Sequence, residues 1–104
     1  MNKIETYQEY ETFIQDNPMT LVYYSTLLCG VCHVMKPQVE SLLENYPEIQ
    51  AREVIMDELP EISAQQTIFS APTVILYVEG KEFVRQSGYL RLDQLNDLLL
   101  RLQA

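Results

Sequence analysis

The apolar and polar positions change their period along the chain, which predicts alternating helices and strands. Thr6-Tyr7-Gln8-Glu9 has the form of a capping box, and apolar residues then recur at helical spacing, so we expect a first helix over residues 6–16. The following run from Thr20 to Ser25 is β-branched and aromatic and carries no charge. Such a run is typical of a strand that is buried on both faces of a sheet.

The middle of the chain predicts two more helices with a strand between them. From Cys29 to about Tyr46 the apolar residues share one side of a helix and the charged residues share the other. Pro37 lies within this helix and has no backbone N–H, so we expect a kink about one turn after the second cysteine. The mostly apolar stretch Arg52 to Met56 predicts a strand, and Glu58 to Thr67 predicts a short third helix.

The last third of the chain predicts a hairpin followed by a closing helix. The apolar run Thr73 to Val78 predicts a strand, and Glu79-Gly80 followed by alternating residues over 82–85 indicates a tight turn into an edge strand. Leucines recur at helical spacing from Leu92 to Leu102. The whole pattern is therefore that of an α/β protein whose sheet ends in an antiparallel pair.

Composition and charge narrow the class of protein. The 104 residues are 47% hydrophobic, which is enough to form a single core without a metal ion or a structural disulfide, so we expect one domain over residues 1–104. The net charge of −8 would repel phosphate backbones and anionic membranes, so we expect neither nucleic acid nor membrane partners. The first twenty residues contain no apolar run long enough for a signal peptide, and we expect a monomeric cytoplasmic protein.

Both cysteines of the chain, Cys29 and Cys32, stand where the buried strand gives way to a helix. Two intervening residues, Gly30 and Val31, allow the sulfurs to meet within one helical turn. In a reducing compartment such a pair is more often redox-active or metal-binding than structural. A loop this short also provides little loop-closure stabilisation. The spacing therefore predicts a reversible dithiol/disulfide pair.

Four local motifs accompany this order of elements. They are Cys-Gly-x-Cys at a strand-to-helix junction, Pro37 five residues after Cys32, Ser70-Ala71-Pro72-Thr73 before a long strand, and Gly88 before the last helix. Together with the order of elements, these motifs resemble the thioredoxin family from about Thr6 to Leu102. The resemblance implies a thioredoxin fold, a central mixed sheet of four or five strands flanked by about four helices. It also implies a cis peptide bond between Ala71 and Pro72 in a loop that faces the cysteines.

The implied activity is that of a thiol–disulfide oxidoreductase, which reduces protein or small-thiol disulfides and takes part in cell redox homeostasis. Cys29, at the helix N-terminus, should be the exposed attacking thiol, because unpaired backbone amides there stabilise a thiolate and lower the pKa of the thiol. Cys32, on the core-facing stripe, should be the buried resolving thiol. No bound cofactor or metal is expected. Electrons would come from a thioredoxin-reductase-type enzyme or a low-molecular-weight thiol.

A shallow groove beside the cysteines should receive the substrate. The backbone of Ala71 would pair with an extended substrate segment, as in β-augmentation. The residues expected to form this groove are Leu28, Gly30, Val31, Ser70, Ala71, Pro72, Thr73, Gly88 and Tyr89.

Four residues near the cysteines depart from the usual thioredoxin pattern. Leu28 replaces an aromatic residue, Val31 replaces a proline, Tyr23 stands where a buried Asp is expected, and Glu53 replaces a neighbouring Lys. We hypothesise that Glu53 serves as the proton acceptor in place of the missing Asp, with Tyr23 hydrogen-bonded to it. The alternative is that Glu53 points into solvent.

Other kinds of site remain open at this point. His33 could be the third ligand of half a zinc site, although structural zinc needs about four ligands. Cys-Gly-Val-Cys-His is also the attachment signature of c-type haem. A third alternative is a thioredoxin-fold peptide-binding or adaptor module with little redox turnover. If the two cysteines are a redox-active pair, we expect His33 to be a surface residue that favours the thiolate when protonated.

Overall fold

The computed structural model describes residues 1–103, which form five strands and four helices. In chain order these elements are β1 (Asn2–Lys3), α1 (Tyr7–Gln15), β2 (Met19–Ser25), α2 (Gly30–Leu43), β3 (Gln50–Ile55), α3 (Pro60–Gln66), β4 (Thr73–Val78), β5 (Lys81–Ser87) and α4 (Leu92–Gln103). Every helix and strand expected from the sequence is present, with bounds that differ by a few residues. No helix of this described part is both long enough and apolar enough to cross a bilayer.

The strands form one mixed sheet in the order β1-β3-β2-β4-β5. The pairs β1–β3 and β2–β3 are parallel, whereas β2–β4 and β4–β5 are antiparallel, as the hairpin pattern predicts. Strand β1 was not expected from the sequence, because two exposed residues carry no periodic signal. Its pairing is extended by the amide of Ile4, which donates to the Glu53 carbonyl at 2.7 Å.

The central strand β2 separates two apolar layers. Val22 and Tyr24 pack into one layer with residues of α1 and α3, while Leu21 and Tyr23 pack into the other with residues of α2 and α4. All four of these side chains are fully buried. The uncharged sequence of β2 is therefore explained by helices on both faces of the sheet.

Two local motifs differ in how well the sequence predicted them. The hydroxyl of Thr6 accepts the amide of Glu9 at 3.1 Å and caps α1, but the Glu9 carboxylate binds Arg52 instead of completing a capping box. In the β4–β5 turn, Glu79 and Gly80 both have positive φ, of 52° and 78°, as the predicted tight hairpin requires.

Three tyrosine hydroxyls meet inside the layer beneath α1. Tyr10, Tyr24 and Tyr77 are buried, and their hydroxyl oxygens lie 2.7 Å (Tyr10–Tyr24), 3.0 Å (Tyr10–Tyr77) and 2.6 Å (Tyr24–Tyr77) apart. Each hydroxyl can donate one hydrogen bond and accept another, so the triangle satisfies all three groups. Burial raises the pKa of each phenol above its ordinary value, because the phenolate would lose its solvation.

This tyrosine triangle predicts a loss of stability in alkaline solution. Above about pH 10 the unfolded chain releases phenolic protons that the native state retains, so the free energy of unfolding falls by about 1.4 kcal/mol per pH unit for each buried tyrosine. Denaturant unfolding at a series of alkaline pH values measures this slope. Tyr24→Phe should reduce the slope, whereas Phe at the exposed Tyr89 should leave it unchanged. Phenolate absorbance from the triangle in the folded protein would contradict the interpretation.

Candidate active site

The two cysteines lie at the end of the sheet where β2 leads into α2. Cys29 is the N-cap of α2, with extended backbone, and its sulfur accepts a hydrogen bond from the amide of Cys32 at 3.1 Å. The two residues form a disulfide, with their Cα atoms 5.2 Å apart. The N-terminus of a helix has amides without helical partners, so the Cys29 sulfur occupies the position where such amides stabilise negative charge.

The two sulfur-bearing side chains differ in their exposure. Cys32 is 3% exposed and belongs to the core-facing stripe of α2, which continues through Met35, Val39 and Leu43. Cys29, which was expected to be exposed, is half-buried by its place at the start of α2 and lines an open cleft. An incoming molecule can therefore reach Cys29, whereas Cys32 can be reached mainly through its partner sulfur.

The loop before β4 faces this cleft and contains the expected cis peptide bond between Ala71 and Pro72, which is confirmed. The Pro72 carbonyl accepts the amide of Gly88 at 2.8 Å, and Gly88 has a φ of 78°, which favours glycine. Thr73 is fully buried, and its hydroxyl contacts the Ser70 carbonyl at 2.8 Å. Gly88 and Thr73 thus hold the loop in place through these two hydrogen bonds.

The cleft has a volume of about 650 Å³ and contains only part of the predicted groove. Five predicted residues line it, namely Leu28, Gly30, Val31, Ser70 and Ala71. Pro72, Thr73, Gly88 and Tyr89 are not among the residues that line it. Pro72 and Thr73 are buried, and Gly88 donates its amide to the Pro72 carbonyl.

Sequence reasoning missed the residues that complete the cleft. They are Thr26, Met56, Asp57, Ser63, Ile68 and Phe69. Most of them come from α3 and from the loops on either side of it. These segments lie far from the cysteines in the sequence, and the order of β2, β3 and β4 in the sheet brings them to the same cleft. The one available signal was an apolar pair, Ile68-Phe69, directly before the Ser70-Ala71-Pro72 motif.

The predicted contact between Tyr23 and Glu53 is wrong, although the two residues are neighbours in the sheet. The hydroxyl of Tyr23 donates instead to the backbone carbonyl of Cys32 at 2.6 Å. The Tyr23 hydroxyl thus binds the first turn of α2. Burial, together with the nearby charge of Glu53, raises the pKa of Tyr23 to about 12, so this phenol remains a donor at neutral pH.

Glu53 does not point into solvent, since only 9% of its surface is exposed. Its carboxylate accepts hydrogen bonds from the Ser25 hydroxyl at 2.8 Å and from the Lys36 ammonium at 2.7 Å. A cleft of about 180 Å³ is lined by Glu53, Lys36 and Cys32. The charged pair therefore lies beside the second cysteine.

The two remaining predicted tuning residues, His33 and Pro37, are exposed residues of α2. His33 is exposed and lines the cleft that contains Glu53. Pro37 is exposed within the helix, and the kink expected there stays a prediction. Across residues 1–103, no group of three or more His, Cys, Asp or Glu side chains is arranged to hold a metal ion.

Comparisons with known proteins define the class to which this fold and cysteine pair belong. The thioredoxin family model matches residues 2–101. The thioredoxin-like protein YdfQ of Bacillus subtilis is 30% identical over 91 residues, covering 88% of this chain and 81% of that protein. Thioredoxin of Chlamydia trachomatis is 31% identical over 85 residues, covering 82% of this chain and 83% of that protein.

Solved structures agree with the sequence comparisons. Thioredoxin of Fasciola hepatica has a TM-score of 0.86 and 27% identity, covering 97% of this chain and 98% of that chain. Oxidised mitochondrial thioredoxin 3 of Saccharomyces cerevisiae has a TM-score of 0.86 at 21% identity, covering 95% of this chain and 93% of that chain. These likenesses confirm the thioredoxin fold.

The fold and the cysteine pair at its helix N-terminus are those of a thiol–disulfide oxidoreductase. The chain belongs to the thioredoxin family. It is a disulfide reductase with a redox-active Cys29–Cys32 pair, and proteins of this family need no prosthetic group. No observation on the described residues, and none of the comparisons, favours the adaptor alternative.

Proposed function

We propose that this protein reduces disulfides with Cys29 as the attacking thiol and Cys32 as the resolving thiol. The observation that carries this assignment is the difference in exposure between a half-buried N-cap sulfur and a side chain that is 3% exposed. In the reduced protein, the amide that contacts the Cys29 sulfur at 3.1 Å is placed to donate to a thiolate.

The proposed reaction proceeds by two exchanges. The thiolate of Cys29 attacks one sulfur of the substrate disulfide, a mixed disulfide forms, and the first substrate thiolate leaves and takes up a proton. Cys32 then loses its proton and attacks the sulfur of Cys29, which releases the second substrate thiol. Two electrons and two protons pass to the substrate, and the protein is left with the intramolecular disulfide.

The loop before β4 supports a mode of substrate binding. Within residues 1–103 the backbone amide and carbonyl of Ala71 form no hydrogen bond, and Ala71 lines the cleft beside Cys29. An extended substrate segment that pairs with this backbone would place its own sulfur next to Cys29.

We propose an external electron donor and a cytoplasmic location for this activity. A separate reductase of the thioredoxin-reductase type, or a low-molecular-weight thiol, would return electrons to the Cys29–Cys32 disulfide. The net charge of −8 disfavours nucleic acid and anionic membranes as partners. We propose a monomer that acts in the cytoplasm on disulfide-containing proteins or small disulfides.

Cysteine variants test the two roles. Cys32→Ser should accumulate a mixed disulfide between Cys29 and a disulfide substrate such as insulin, because the resolving thiol is missing. Cys29→Ser should form no adduct and show no turnover. Mass spectrometry of the quenched reaction identifies the linked cysteine. An adduct that forms through Cys32 in Cys29→Ser at a comparable rate would overturn the assignment.

We further propose that Glu53 accepts the proton that Cys32 loses during the second exchange. The carboxylate and the Cys32 side chain line one cleft of about 180 Å³, which is large enough to hold water between them. Lys36 and the Ser25 hydroxyl hold the carboxylate in place, and His33 lines the same cleft. Tyr23 donates to the Cys32 carbonyl and therefore does not compete for the carboxylate.

Replacing Glu53 with Gln tests this proposal. Glu53→Gln should slow release of the mixed disulfide by up to about 100-fold, at the lower end of what acid–base groups contribute, and should remove one step from the pH–rate profile. Ser25→Ala is the matched control, since it removes a hydrogen bond to the carboxylate but keeps the proton acceptor. Rapid-quench measurement of the second exchange separates it from the first. An unchanged pH–rate profile in Glu53→Gln would contradict the role.

A further inference from the structure

Two of the most exposed apolar side chains in residues 1–103 line the cleft that contains the reactive sulfur. Leu28 is 99% exposed and Phe69 is 90% exposed. Exposed apolar residues that are scattered singly are ordinary on protein surfaces, but these two line the same cleft as Cys29. An apolar pair left in water at a binding cleft points to an apolar group on the molecule that binds there.

The two side chains come from different loops at one end of the sheet. Leu28 follows β2 and Phe69 precedes β4, and these strands pair through Tyr24 and Thr73 at that end. The cleft between the loops also contains the side chains of Met56 and Ile68. The apolar surface therefore extends from the rim of the cleft into its interior.

The electrostatics of the cleft are one-sided. Asp57 is the single charged side chain among the residues that line it within the described chain, and Asp57 forms no salt bridge there. One carboxylate oxygen accepts the Leu27 amide at 3.0 Å, which holds the side chain in position and leaves the other oxygen available. Among residues 1–103 no Lys, Arg or His lines the cleft, and the whole chain carries a net charge of −8.

From this arrangement we infer that the preferred substrate is an extended polypeptide disulfide whose cysteine is flanked by a large apolar residue and by Lys or Arg. The apolar residue would pack against Leu28 and Phe69, and the cation would pair with Asp57. Anionic disulfides, whether acidic peptides or oxidised glutathione, would meet a carboxylate and find no cation. This inference rests on the proposed function, because it concerns the substrate of the same Cys29–Cys32 pair.

Four peptides of equal length, each closed by one internal disulfide, test the inference. They combine either Leu or Ser with either Lys or Glu beside the cysteine, and the reduced protein is mixed with each under single-turnover conditions. The exchange consumes the dithiol of Cys29 and Cys32 and opens the peptide disulfide to give one reduced peptide with two thiols, which chromatography separates from the oxidised peptide. We expect the Leu/Lys peptide to react fastest, the Ser/Glu peptide slowest, and oxidised glutathione no faster than the Ser/Glu peptide.

Variants assign the preference to residues. Phe69→Ser should reduce the Leu-over-Ser ratio roughly tenfold, as expected for loss of an apolar contact. Asp57→Asn should reduce the Lys-over-Glu ratio about 3-fold to 5-fold, because an exposed ion pair contributes little. The matched controls are Phe83→Ser on β5 and Asp97→Asn on α4, which lie outside the cleft. Because the substituted side chains are exposed, unfolding midpoints should change little.

The outcomes distinguish this inference from the function on which it rests. Equal rates for all four peptides, or equal effects of the cleft variants and their controls, would overturn the substrate preference and leave the reductase activity standing. Failure of the reduced wild-type protein to reduce any of the peptides would overturn the proposed function together with the preference.

Discussion

The amide of Cys32 donates a hydrogen bond to the sulfur of Cys29, and the chemistry of the whole site depends on this contact. It exists because α2 begins one residue after Cys29, so that the sulfur takes the place of an N-capping oxygen. That helix end is held in turn by the hydroxyl of Tyr23, which lies on the buried central strand and donates a hydrogen bond to the Cys32 carbonyl. The strand, the phenol and the helix end therefore act as one unit that presents Cys29 and conceals Cys32.

The charged groups near the second cysteine show how the same fold accommodates an unusual sequence. A carboxylate that is 9% exposed is costly unless it is paired and hydrogen-bonded, and Glu53 has both an ammonium and a hydroxyl partner. Lys36, which lies on the polar side of α2, is half-buried and bridges the helix to β3. Tyr23 and Glu53 thus divide two tasks between neighbouring strands, since the phenol orients the helix and the carboxylate supplies charge.

Much of this architecture could be predicted from the sequence, because the signals were local. The uncharged strand β2, the stripe of α2 and the turn at Glu79-Gly80 each follow from periodicity or from backbone geometry. The cleft was predicted only in part. Phe69 and Asp57 belong to loops that lie beside Cys29 only because of the order of the strands in the sheet, and no local sequence pattern encodes that order. The partner of Tyr23 was assigned wrongly because strand register places side chains side by side without showing how far each one reaches.

The central claim is that the helix end makes one sulfur reactive and hides the other, and alkylation of the reduced protein tests it most directly. Reduced protein is treated with limiting iodoacetamide at neutral pH, and the modified cysteine is identified by peptide mass spectrometry over time. The account predicts that Cys29 reacts at least roughly tenfold faster than Cys32, and that the difference disappears when the protein is unfolded. Equal rates in the folded protein, or faster modification of Cys32, would contradict it.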